Sequence, residues 1–460
     1  MGKSLTLTLL LFALAIGSLG YIHGSVDQSK DAVTIDETVI FGDKSFARGI
    51  TVDLTAHCDY RLFWDTRYTV GESSQISTSF TFSQVQRRPD QARVYSGVYL
   101  DGVFGGGYGA SGILNLEDET LPVQDVASRT QPGQKHTETV FIKDYYDFYP
   151  LRVGFDRSVG FAVNQDAVNL FNDYFRIPVH QEHQVKVIIE KNAAGQVHRL
   201  QVSPVDDTEV YFLTSTTVTD SECFFTLSCY TADGELLDPS HIPGGYGIYR
   251  FPLHDRGSDD RLLTADELQT VFPLDAQRER VVALSTNRDQ SRLLLVTIEE
   301  GAYILTVIDA ASMTELQQLA ILDTDVEMGP RRSERINLHV YDDFIVPTFN
   351  DRSLALLALD EAGNYQLRFA ASFGEQEQLR YKFPRMLSMD YNGEALVVVF
   401  SQDPHSYPGN FCSFSLAVYN SAGLAYAGHY QHNLDKGPID YRLTCGPLHL
   451  PTVTWAALSP

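Results

Sequence analysis

Residues 280–323 read RVVALSTNRDQSRLLLVTIEEGAYILTVIDAASMTELQQLAILD. Four apolar runs, VVALST, RLLLVTI, YILTVID and LQQLAIL, are separated by short polar breaks that carry Asn, Asp and Gly. Runs this short, rich in β-branched residues and bounded by turn formers, predict strands joined by hairpins. The same grammar continues through RINLHVY, DFIVPTF, SLALLALD and YQLRFAAS, then through PRMLSMDY, EALVVVFS, FSLAVYN and LAYAGHY. Three successive sets of four strands are therefore expected between residue 280 and residue 430.

The hairpin before each fourth strand falls at Ala311-Ser312, Ala362-Gly363 and Ala422-Gly423, at intervals of 362 − 311 = 51 and 422 − 362 = 60 residues. A four-stranded unit repeating at this interval resembles a β-propeller blade, whose period is about 40–50 residues. Similar hairpins at Ala194-Gly195 and Asp233-Gly234 extend the pattern towards the N-terminus. The resemblance is to propeller architecture in general and points to no named family. It implies an all-β fold of about six to eight four-stranded blades, with two or more β-sandwich domains as the alternative. Upstream, YRLFWDTRYTV, SQISTSFTFSQV and RVYSGVYLDGVF also read as strands. Two helices are expected within this scheme. Val163, Ala167, Val168, Phe171, Tyr174 and Phe175 recur at helical spacing before Pro178, and Thr264 to Glu267 has capping-box spacing ahead of Leu268.

The first residues carry an address. Ser4 to Ile22 contains no charge, follows Lys3, and precedes Asp27, Asp31, Asp36 and Glu37. Such a tract is long enough to cross a hydrocarbon core of about 30 Å, and the charge asymmetry places the N-terminus in the cytosol. The expectation is a single-pass signal anchor over residues 1–24, centred on Leu10, Leu11, Phe12 and Ala13. Residues 25–460 would then be one extracytoplasmic domain with a sub-boundary near 178. Secretion after signal cleavage is the alternative. The chain has no N-x-Ser/Thr sequon, which for an exported protein suits a bacterial source.

Composition narrows the partners. With 35 Lys plus Arg against 59 Asp plus Glu, the net charge is −24, which opposes nucleic acid and anionic bilayer surfaces. Export permits disulfides among the five cysteines, and the plausible pairs are Cys223 with Cys229 and Cys412 with Cys445, leaving Cys58 odd. No CxxC pair suggests zinc.

Candidate chemistry is sparse. Gly107-Tyr-Gly109-Ala-Ser-Gly112 formally matches a dinucleotide fingerprint, but no helix follows it. Ile113 to Leu116 reads as a further strand, so a glycine loop between strands is expected and no nucleotide. His180 with His183, and His429 with His432, lack a helix that would set both imidazoles on one face of a metal site. The acidic pairs Asp206-Asp207, Asp259-Asp260 and Asp323 with Asp325 allow at most weak surface calcium, so no cofactor is expected. Neither G-x-S-x-G nor S-x-x-K occurs, and no catalytic residue is nominated.

The densest aromatic cluster, Lys143-Asp-Tyr-Tyr-Asp-Phe-Tyr149, makes Tyr145, Tyr146 and Tyr149 candidate ligand-binding residues, with core packing as the competing role. The functional expectation is a membrane-tethered extracytoplasmic binding or sensing module for a surface protein or glycan. The alternative is a glycan-active hydrolase or lyase built on the same scaffold.

Overall fold

A computed structural model describes residues 2–30, 33–58, 62–71, 74–83, 97–155, 164–253, 263–324, 336–350, 353–372, 386–401, 413–433, 445–447 and 451–455. The chain forms two compact units. One comprises residues 1–92, 348–357 and 367–460, the other residues 93–347 and 358–366, so position 178 lies inside the second.

In chain order the elements begin with helix α1 (Gly2–Lys30) and strands β1 (Ile35–Gly42), β2 (Ile50–Cys58), β3 (Leu62–Thr69) and β4 (Gln75–Phe82). There follow β5 (Val98–Gly102), β6 (Tyr108–Ser111), α2 (Leu121–Arg129), β7 (Lys135–Phe141), β8 (Leu151–Phe155), α3 (Gln165–Tyr174), β9 (Gln184–Lys191) and β10 (Val197–Pro204). Next are β11 (Val210–Val218), β12 (Glu222–Thr231), β13 (Gly247–Pro252), β14 (Gln269–Pro273), β15 (Arg280–Thr286), β16 (Arg292–Glu299), β17 (Ala302–Asp309) and β18 (Glu315–Asp323). After β19 (Ile336–Val340), the chain passes between the units within each of β20 (Phe344–Phe349), β21 (Ser353–Leu359) and β22 (Tyr365–Ser372). It ends with β23 (Met386–Tyr391), β24 (Leu396–Ser401), β25 (Phe414–Asn420), β26 (Gly423–His432), β27 (Cys445–Pro447) and β28 (Thr452–Trp455).

The strands form antiparallel sheets of the propeller-blade type. β11 to β14, β15 to β18, and β19 to β22 are four-stranded meanders in sequence order, as the quoted stretch requires. Burial separates blades from the sandwich alternative. The second strand of each meander is buried at nearly every position, in runs such as iBBBBBBi along β16 and BBBBBB along β20. A strand in a one-faced sheet alternates buried and exposed residues, whereas continuous burial requires cover on both faces. The fourth strand β18 is mostly exposed.

Two sheets of the first unit combine both ends of the chain. The order β23-β24-β25-β26 continues onto β1, and β27 and β28 both pair with β2 beside β3 and β4. The core of this unit gathers Ile50, Val52, Leu54 and Tyr68 with Val397, Leu416, Tyr426 and Tyr430. The second unit has a separate core around Phe171, Phe175, Phe225, Tyr249 and Phe251.

Several expectations are corrected. Helix α3 forms where expected, capped by Asn164, whose Oδ1 accepts the Ala167 N–H at 2.9 Å. Thr264 to Glu267 makes only a turn. The Glu267 carboxylate does accept the Thr264 N–H at 3.0 Å, but the chain enters β14 at Gln269 before a helix can propagate. Ile113 to Leu116 is not a strand. Helix α2 was not anticipated, because its buried Val123, Val126 and Ala127 span only two turns and its Thr120 N-cap makes no side-chain hydrogen bond. Cys223 and Cys229 are both free, lying six positions apart on β12, and an extended strand rising about 3.3 Å per residue keeps them far beyond disulfide reach. Cys412 lies outside the described residues.

Candidate binding face and its supporting cluster

Strands β2, β3 and β4 align polar residues in cross-strand rows. Thr51 opposes Thr69, which opposes Gln75; Asp53, Arg67 and Ser77 form the next row, and Thr55, Asp65 and Ser79 the one after. The period of two puts these groups on one face while Val52, Leu54 and Tyr68 enter the core on the other. The polar face is internally ordered. Arg67 Nε and Nη2 donate to Asp53 Oδ1 and Oδ2 at 2.7 and 3.0 Å, a bidentate pair. Thr55 Oγ1 donates to Asp65 Oδ1 at 2.6 Å, and the Thr51 and Thr69 hydroxyls lie 3.0 Å apart.

Asp53, Thr55, Asp65, Arg67, Ser77 and Ser79, with Thr452 of β28, line an open groove of about 480 Å³. Two carboxylates and one guanidinium give it a local charge of 1 − 2 = −1. The Arg67 pKa is raised, first by its hydrogen bond to Asp53 and then by the carboxylate's charge. Donors and acceptors about 4.8 Å apart within a row, in rows about 6.6 Å apart, can engage several hydroxyls or amides of one extended ligand. Sequence reasoning passed over this face because no single motif marks it. The signal was the alternation D-x-T in β2, D-x-R-x-T in β3 and S-x-S in β4.

Behind it, Glu37 of β1 anchors a cluster of tyrosines. Its side chain is 14% exposed, and Lys44 Nζ lies 2.6 Å from Oε2. Tyr426 donates to Oε1 at 2.9 Å, Tyr68 approaches Oε2 at 3.4 Å, and the Tyr426 and Tyr430 hydroxyls are 2.9 Å apart. Burial, the leading cause in each case, pushes Tyr68 up to about 12 and raises Tyr426 and Tyr430 further. Gly428 makes room for this packing, since a Cβ there would lie 2.3 Å from the Tyr426 hydroxyl. Both carboxylate oxygens already accept hydrogen bonds and the phenols stay protonated at neutral pH. The cluster is thus built to hold β1 against β26, not to act as a nucleophile or base.

In the second unit the expected recognition tyrosines are occupied in packing. Tyr149 is 2% exposed, with its ring edge-on to Phe212, so it is no open stacking platform. Its hydroxyl accepts the His180 backbone N–H at 3.1 Å and lies 2.9 Å from His183 Nδ1. Tyr145 donates to Asp125 at 2.6 Å, and Tyr146 accepts the Leu121 N–H at 2.9 Å; both rings pack on the core.

The remaining motifs bring nothing together. His183 is fully buried, and His429 is held by the Phe414 carbonyl at 3.2 Å, while the His432 side chain, Asp259, Asp260 and Asp325 lie outside the described residues. Among the described residues no group of three His, Cys, Asp or Glu side chains could hold a metal. The glycine motif is not the expected loop: its middle, Tyr108–Ser111, is strand β6, paired with β10, and Cβ atoms at Gly107, just before the strand, and at Gly109 would crowd the Val202 and Leu200 carbonyls at 3.3 and 3.1 Å.

No protein-family model matches the chain, and no curated protein matches it. Solved structures similar to it include the β-propeller domain of Myceliophteria thermophila Cps50 (Swd1), at 12% identity over 53% of this chain and 81% of that one, with a TM-score of 0.23. The β-propeller domain of the Trilobed protease from Pyrococcus furiosus is 10% identical over 54% and 62%, with a TM-score of 0.22. A prolyl endopeptidase is 8% identical over 84% of this chain, which spans 42% of the endopeptidase, with a TM-score of 0.23. The blade assignment rests on strand order and burial rather than on these likenesses.

Proposed function

We propose that the protein is a membrane-tethered recognition module, held by α1, whose β-domain meets polar ligands outside the cytoplasm through the β2–β4 face. Helix α1 supports the tether: residues Thr6–Ser25 are long and apolar enough to span a bilayer and none of that stretch is buried by protein. Leu10, Leu11 and Phe12 are each more than half exposed, a state that lipid stabilises and water does not. Support for recognition comes from the ordered polar rows, above all the bidentate Arg67–Asp53 pair on an open face. A strand surface that fixes hydroxyls, carboxylates and a guanidinium in register suits a hydroxyl-rich chain such as a glycan, whose hydroxyls both donate and accept.

The test is binding of the detergent-solubilised full chain to a panel of bacterial surface glycans, compared with Arg67→Ala and Asp65→Ala. Each substitution removes charged hydrogen bonds worth about 1.5–3 kcal/mol, so affinity should fall at least tenfold while the melting temperature changes little. Glycan binding that survives both substitutions, or no binding by the wild type, would contradict the assignment of this face.

A further inference from the structure

Cys58 is the last residue of β2 and Cys445 the first of β27, and the two occupy one register position of that antiparallel pair. Two positions along, Pro447 opposes Ala56. Proline has no N–H, so Ala56 and Pro447 cannot exchange two backbone hydrogen bonds. Directly opposed pairs alternate along an antiparallel ladder, which makes both 56/447 and 58/445 non-hydrogen-bonded pairs. The Cα atoms of such pairs lie about 4.5 Å apart, within the roughly 4.4–6.8 Å that disulfides occupy.

We propose that Cys58 and Cys445 form a disulfide that locks the N-terminal strand β2 to the C-terminal strand β27. It replaces the expected pairing of Cys445 with Cys412, so that Cys412 rather than Cys58 is left without a partner in the scheme. Cys223 and Cys229 are weak competitors. Both are buried, and burial pushes the Cys223 thiol up to about 12 and Cys229 higher still, which disfavours the thiolate that exchange requires.

The oxidant is another disulfide, either a small molecule such as oxidised glutathione or a protein disulfide donor. One cysteine thiolate attacks a donor sulfur and expels the first donor thiol, then the second cysteine attacks the mixed disulfide and expels the other. The two protein thiols lose two protons and two electrons, and the donor disulfide becomes two thiols. The bridge encloses 445 − 58 = 387 residues of sequence, so it removes more unfolded-chain entropy than a local bridge would. In cells this chemistry rests on the exported address proposed above; in vitro it does not.

The experiment equilibrates the purified full chain with oxidised glutathione, alkylates free thiols and digests with trypsin without reduction. Cys58, Cys412 and Cys445 fall in separate peptides, 49–61, 386–436 and 443–460. The expected product is 49–61 joined to 443–460, together with a higher melting temperature than the reduced protein. In Cys58→Ser, Cys445 should become alkylated and the difference in melting temperature should vanish. Alkylation of both Cys58 and Cys445 in the oxidised wild type, or a link from either to 386–436, would overturn the proposal. Thiol trapping in cells separates the two readings: a chain bridged in vitro but reduced in cells contradicts the exported address and leaves the pairing intact.

Discussion

His183 shows how one buried side chain makes a fold sensitive to pH. Its ring is fully buried against Tyr149, and loss of solvation, reinforced by His180, lowers its pKa to about 4. The unfolded chain protonates the same residue near pH 6.5, so between pH 6.5 and 4 the unfolded state binds more protons than the folded one. Stability from this residue is therefore fully present above about pH 6.5 and is lost as pH falls towards 4, by on the order of 3 kcal/mol. Urea unfolding as a function of pH should show this slope in the wild type and a flatter one in His183→Gln. Equal slopes would mean that other groups carry the acid sensitivity. The sequence marks Tyr149 as a candidate ligand-binding residue and argues against His183 as a metal ligand. Nothing in their local spacing revealed that the one would bond to the other in a dry core.

At the scale of strands, the sequence was most legible where each element obeys its own local rule. The three hairpins that set the repeat are each held by the residue that opens them. Asp309 Oδ1 accepts the Ser312 N–H at 2.7 Å, Asp360 Oδ1 the Ala362 N–H at 2.9 Å, and Asn420 Oδ1 the Ala422 N–H at 2.9 Å. This local chemistry is written in D-A-A-S, D-E-A-G and N-S-A-G. What local rules cannot show is pairing between distant strands. The rows of the β2–β4 face, the register of Cys58 with Cys445, and the Glu37 cluster all join residues whose neighbours in space are fixed by tertiary pairing. Glu37→Ala tests the last of these, since it removes the carboxylate that ties β1 to β26 and β3. Lys44 is a third exposed and can rehydrate, and Tyr426 keeps Tyr430 as a partner, so the cost should be about 1–3 kcal/mol by denaturant titration. A variant as stable as the wild type would show that the cluster contributes no hold on β1.

At the scale of the molecule, two sheets of the first unit each take strands from both ends of the chain, while α1 leads directly into β1. A helix suited to lipid thus connects within a few residues to a β-domain whose polar face is open to a ligand. The most direct measurement is protease protection of the full chain in sealed, inside-out vesicles of the host membrane. An extracytoplasmic domain lies inside such vesicles, so residues beyond the anchor should resist digestion until detergent is added. Digestion of intact vesicles, or a full-length chain that does not sediment with them, would contradict a tethered recognition module facing outward.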